Sequence, residues 1–162
     1  MAEPALDLTV IIPSYNTRDL LSACIASIYR HTTGITFEII CLDDASPDGS
    51  ADMVAAEFPE VILVRNQTNQ YYARNNKAGL RLARGRYACL LNSDTLLTTN
   101  AFSALINFMD AHPDAAACGP KLLNPDGSVQ HCIRGFAGAS TFLLQMIQWQ
   151  RFFPGSRIMN RY

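Results

Sequence analysis

Four times along the chain a short apolar run gives way to a stretch whose apolar residues recur every three or four positions. Leu8 to Ile12 is the first such run, a β-branched strand closed by Pro13. After it, Asn16 or Thr17 can cap a helix that puts Leu20, Leu21, Cys24, Ile25 and Ile28 on one face. The unit recurs as strand Phe37 to Leu42 with a helix near Ser50 to Phe58, and as strand Val61 to Val64 with a helix near Tyr72 to Ala83. The fourth copy is strand Tyr87 to Leu91 with a helix near Ala101 to Ala111. Four βα units in a row predict an α/β fold: a mainly parallel, doubly wound, Rossmann-like sheet with right-handed crossovers and helices on both faces. Beyond His112-Pro113 the pattern changes. Ala115 to Cys118 reads as a further strand, and Leu122-Leu123 and Ser128 to Ile133 flank a type I turn at Asn124-Pro125-Asp126-Gly127. Gly138 to Phe153 reads as an amphipathic helix ended by Pro154-Gly155.

Composition narrows the class. The 162 residues, 49% of them hydrophobic, suffice for one domain with a sizeable core. A net charge of −1 gives no reason to expect nucleic acid as a partner. The charge is unevenly placed, however: all 14 acidic residues lie at or before Asp126, while the stretch from Gly127 onward holds only arginines. Together with the amphipathic stretch, this leaves open a peripheral membrane contact, ranked below packing against protein. The five cysteines are dispersed, odd in number and mostly inside apolar runs, as in a protein kept reduced. The start Met1-Ala2-Glu3-Pro4 has no signal-peptide character, so a cytoplasmic location is expected, at the inner face of the membrane if the basic stretch meets lipid.

Chemistry concentrates where predicted strands end. Asp43-Asp44 closes the second strand and Asn92-Ser93-Asp94 follows the fourth, and open α/β sheets bind ligands outside these carboxyl ends. The first loop, Ile11 to Asn16, contains no glycine, so neither the dinucleotide fingerprint nor the phosphate-cradling P-loop is present. A diphosphate would then be neutralised by a divalent cation, Mg²⁺ or Mn²⁺, with Asp94 as the protein ligand.

Four blocks in order resemble the inverting nucleotide-sugar glycosyltransferases of family 2, which have the GT-A fold. They are Val10 to Asn16, Leu42 to Ser50, Asn69 through Ala73-Arg74-Asn75-Asn76 to Gly79, and Leu90 to Thr95. Gly119 to Gln130 is similar to the rhamnosyltransferase-like branch. The resemblance implies that Asp43, with Asp44 beside it, accepts hydrogen bonds from the nucleotide base, and that Pro13, Tyr15 and Asn16 line its pocket. It places Arg74 near the base or the diphosphate, and makes Asn92-Ser93-Asp94 the counterpart of the family's Asp-x-Asp motif. Asp94 is then the metal ligand, and Asn92, lacking a charge, contacts sugar or ribose. Implied partners are a UDP- or dTDP-sugar and a glycan or lipid-linked acceptor. One departure is Gln70-Tyr71, where relatives often carry glycine.

Inversion needs a carboxylate base to take the acceptor's proton, and in this family it follows the metal block at a distance. With no acid after Asp126, that base is expected beyond Tyr162. The chain then divides into a donor-binding domain over residues 1–134 and a connection over residues 135–162 toward an acceptor half. Two alternatives stand beside this reading: a noncatalytic nucleotide-sugar binding module, and a nucleotidyltransferase, which the glycine-free first loop disfavours.

Overall fold

The computed structural model describes residues 6–130. Four strands, β1 (Leu8–Ser14), β2 (Phe37–Asp43), β3 (Ile62–Arg65) and β4 (Tyr87–Leu90), form one sheet in the order β3-β2-β1-β4. All three pairings are parallel, with Leu8 opposite both Phe37 and Tyr87 and Ile40 opposite Ile62. Each strand is followed by a helix: α1 (Arg18–His31), α2 (Ser50–Glu57), α3 (Tyr71–Leu82) and α4 (Ala101–Ala111).

Period-two alternation sorts the strand side chains onto two faces. Leu8, Val10, Ile12, Ile39 and Cys41 join Leu21, Cys24, Ile25 and Ile28 of α1, Met53 and Val54 of α2, and Phe102 and Ile106 of α4 in the larger core. Ile11, Ile40 and Leu42 point the other way and pack with Val64 and Ala78. The helix on that side is α3. It lies close because Gly79 has no side chain: a Cβ there would stand 2.4 Å from Ile11 Cγ2. The doubly wound α/β architecture expected from the sequence is present.

Several local expectations need correction. β1 does not stop at Pro13 but runs through it, paired with Leu42, to Ser14. Ile11 directs its carbonyl to the Leu91 N–H on the β4 side, so Pro13, two residues on, faces the same side just past the end of β4. Its missing N–H therefore costs no ladder bond. Ala115 to Cys118 is not a strand; it pairs with nothing among the described residues, and β4 remains the edge. Leu20 does not share the buried face of α1, being 53% exposed. The Asn124 to Gly127 turn is present, closed by Gly127 N–H to Asn124 O at 2.9 Å and flanked by an antiparallel bridge between Leu123 and Val129. The chain divides into compact units at residues 1–119 and 120–162. The expected boundary after residue 134 and the helix at 138–153 lie outside the described residues.

Candidate functional site

The loops that leave β1, β2 and β3 each bend through one non-glycine residue with positive φ: Asn16 at 54°, Ala45 at 61° and Tyr71 at 61°. Such conformations cost energy and persist only where the surroundings hold them. Here the loops hold one another. The Asn16 N–H donates to Ser46 Oγ at 3.1 Å, and the Arg18 N–H at the start of α1 donates to Asp48 Oδ2 at 3.0 Å. Asp48 Oδ1 accepts from the N–H and hydroxyl of Ser50, so one carboxylate serves the first turns of both α1 and α2. Thr17 thus stands at the N-cap position of α1 without making a side-chain capping bond. The Thr17 hydroxyl instead bonds Ser14 Oγ and Ser93 Oγ, each at 2.9 Å, tying the first loop to the segment after β4.

Inside this frame lies an open cleft of about 270 Å³ at the carboxyl edge of the sheet. That is close to the lower end of small-molecule sites, roughly 300–1,000 Å³. Pro13, Ser14, Tyr15, Thr17 and Leu20 line it from the end of β1 through the following loop into α1, Asp44 from just past β2, Tyr72 and Asn75 from α3, and Asn92, Ser93 and Asp94 from beyond β4. Six predicted residues thus meet there: Pro13, Tyr15, Asp44, Asn92, Ser93 and Asp94. Asn16, Asp43 and Arg74 are not among the lining residues, although Asn16 and Asp43 flank them in sequence.

The two adjacent aspartates have different work. Asp44 is engaged within the protein: Oδ1 accepts from Gln70 N–H at 2.7 Å and Asn66 Nδ2 at 3.0 Å, and Oδ2 from Tyr71 N–H at 3.0 Å. Burial pushes its carboxyl up, but the hydrogen bonds from Asn75, Gln70, Asn66 and Tyr71 outweigh that and hold it below the ordinary carboxylate value. It is the clasp of the β3–α3 loop. Asp43 is 3% exposed; its Oδ2 accepts from Ser46 N–H at 3.1 Å, while Oδ1 is buried without a hydrogen-bond partner. A buried carboxylate oxygen left so is an unmet demand for a donor, worth about 1–3 kcal/mol or more.

Across the cleft, Asp94 is exposed and makes no hydrogen bond or ion pair among the described residues. No three His, Cys, Asp or Glu side chains cluster there to form a protein cage for a metal. A lone exposed carboxylate does fit Mg²⁺ or Mn²⁺ binding of the kind that completes its shell with water and substrate phosphate. Arg74 is exposed, its Nη1 3.4 Å from Gln70 Oε1. Sequence reasoning missed Ser14, Thr17, Leu20, Tyr72 and Asn75. Asn75 stands inside the Ala73 to Asn76 block and could have been found there. Tyr72 and Leu20 carry no signal beyond their apolar character.

Known proteins resemble this chain in sequence and in fold. The model of Glycosyl transferase family 2 matches residues 9–143. The minor teichoic acid biosynthesis protein GgaB of Bacillus subtilis is 33% identical over 110 residues, which is 65% of this chain and 12% of that protein. The chain therefore spans about an eighth of that relative's length. Among solved structures, S. aureus TarS 1-349 in complex with UDP-GlcNAc superposes with a TM-score of 0.60 at 21% identity, covering 67% of this chain and 32% of that one. Mannosyltransferase PcManGT from Pyrobaculum calidifontis, in complex with GDP-Man and Mn²⁺, gives 0.58 at 25% identity, covering 67% and 36%. The first of these likenesses shows the fold, GT-A, and the family match spans well over half of the sequence: the chain belongs to glycosyl transferase family 2.

Proposed function

We propose that this chain binds a UDP- or dTDP-sugar in the carboxyl-edge cleft, and that the protein transfers the sugar with inversion to a glycan or lipid-linked acceptor. The observation that carries the reading is the buried, partnerless Asp43 Oδ1 beside a cleft whose far wall presents the exposed Asp94. Uracil and thymine offer a ring N–H to such an oxygen, whereas cytosine presents a lone pair and is repelled. The relatives support this: TarS holds UDP-GlcNAc and PcManGT holds GDP-Man with Mn²⁺.

In this scheme Pro13, Tyr15 and Asn16 form the wall of the base pocket, and Asn92 donates to and accepts from the sugar or ribose. Ser93 fixes the height of the Asn92 to Asp94 segment through its bond to Thr17. Arg74 supplies positive charge toward the base or diphosphate. Asp94 would hold Mg²⁺ or Mn²⁺, which stabilises charge on the departing diphosphate. The acids that follow Asp94 do not serve as the base: Asp110 is bound to Arg86 and Tyr87, Asp126 to Ser128, and Asp114 is solvent-exposed just past α4. We place the base outside the described residues, and the protein in the cytoplasm.

Calorimetry with UDP, dTDP and CDP, each with Mn²⁺ or EDTA, tests the reading. UDP or dTDP is expected to bind in Mn²⁺ and weaken sharply in EDTA, with CDP weaker throughout. Equal binding with and without the cation removes the metal role, and no binding of any nucleotide removes the donor-site reading.

A further inference from the structure

Tyr71 and Tyr72 open α3 as adjacent aromatic residues, and neither packs into the core: they are 76% and 54% exposed. Neither ring stacks on another ring, and the Tyr72 hydroxyl makes no hydrogen bond, among the described residues. The backbone that presents them is held against its own preference. Tyr71 has φ 61°, a region that bulky residues seldom occupy, and its N–H is accepted by Asp44 Oδ2 at 3.0 Å and Asn69 Oδ1 at 2.9 Å. The effect of this turn is to bring Tyr72 onto the wall of the cleft, together with Asp44 and Asn75.

Tyr15 lines the same cleft from the loop after β1, half exposed at 50%, and it too adjoins a positive-φ residue, Asn16. Two strained loops therefore each deliver an unstacked aromatic ring to one space. The sheet order decides which part of a ligand they meet. α3 packs on β1 and β2, and Tyr71, the residue before Tyr72, donates to Asp44, the neighbour of Asp43, whereas Asp94 follows β4, which pairs with β1 on the side away from β2. Tyr72 thus belongs with the Asp44 side of the cleft, next to the residue whose orphaned oxygen calls for a base N–H, and away from the carboxylate assigned to the diphosphate's cation.

We propose that Tyr72 is a stacking contact for the heteroaromatic base of the nucleoside diphosphate, giving it a ring partner on the α3 side as Tyr15 does on the β1 side. This rests on the nucleotide-sugar reading above. A base face stacks on an aromatic ring whatever its edge carries, so Tyr72 supplies affinity while Asp43 selects the base.

The test measures binding of UDP and of inorganic pyrophosphate, both with Mn²⁺, to the full chain and to Tyr72→Ala and Tyr72→Phe. UDP affinity is expected to fall about tenfold in Tyr72→Ala, within what one stacked base contributes, and to be kept in Tyr72→Phe. Pyrophosphate binding and the melting temperature should be alike in all three. Unchanged UDP binding in Tyr72→Ala overturns the assignment, as does a parallel fall for UDP and pyrophosphate, which would place Tyr72 at the diphosphate or in the fold. If the unaltered chain binds no nucleotide, it is the donor-site reading that has failed, and this assignment goes with it.

Discussion

The two edges of the sheet treat charge in opposite ways. At the amino edge, buried Glu38 accepts from Thr9 Oγ1 at 2.7 Å, from the Arg84 N–H at 3.0 Å, and from the Arg84 guanidinium at 2.9 and 2.6 Å. Beside it Arg86 bridges Asp110 and Asp7. Every one of these carboxylates has its donors within the protein. At the carboxyl edge Asp43 keeps a buried oxygen without a donor and Asp94 stands alone, and the three positive-φ non-glycine residues among the described residues sit there. The amino edge is arranged for stability; the carboxyl edge stores strain and unsatisfied polarity, as a ligand site does.

Substitutions on the two edges should therefore separate binding from stability. The largest effect is expected from Asp94→Ala: nucleotide binding in Mn²⁺ drops to the level found in EDTA, with the melting temperature unchanged, read by calorimetry in both buffers. Retention of the cation dependence would give the metal another ligand. Next is Asp43→Asn, which can keep the Ser46 contact but turns a donor toward the base. UDP affinity should fall about 10- to 100-fold, the value of a hydrogen bond to a charged group, with little change in unfolding. A large loss of stability with affinity intact would make Asp43 a structural residue and blur the contrast.

Glu38→Gln should do the reverse, lowering stability by about 1–2 kcal/mol in urea melts at neutral pH while leaving UDP binding untouched. Arg84 is well exposed, so solvent screening keeps the effect at this low end. Burial pushes the Glu38 carboxyl up, but its bonds to Arg84 and Thr9 hold it below the ordinary glutamate value. Its contribution is thus present above the unfolded-state value and is lost as pH falls through the depressed folded one. Urea melts of the unaltered chain and Glu38→Gln should converge in acid; a constant gap would show that the charge is not the cause. The smallest effect is expected at Tyr71→Gly. Relief of the left-handed strain is offset by glycine's greater chain entropy, for a net gain of at most about 1 kcal/mol. A clear loss of stability would mean that the Tyr71 side chain itself holds the loop.

The period-two runs and helical repeats made the βα order legible because burial of one face leaves its mark on every residue of an element. α4 matches its expected bounds at Ala101 and Ala111, and α3 begins one residue early. Asp43 and Asp94 were legible as strand-end acids because the carboxyl edge is where such folds bind ligands. What each acid does was decided by tertiary contacts. Only the approach of the β3–α3 loop fills both oxygens of Asp44, and nothing in the run of residues distinguishes it from Asp43 next door. Leu20 obeyed the helical period yet faces the cleft, since the width of the buried face of α1 depends on what covers it. Ala115 to Cys118 had the composition of a strand but found no ladder, and a strand exists only where a neighbour supplies its hydrogen bonds. Tyr72 opened a predicted helix, and its place on the cleft wall follows from the left-handed turn at Tyr71 before it. Local pattern sets which segments form; partners far apart in sequence set which polar atoms remain for a ligand.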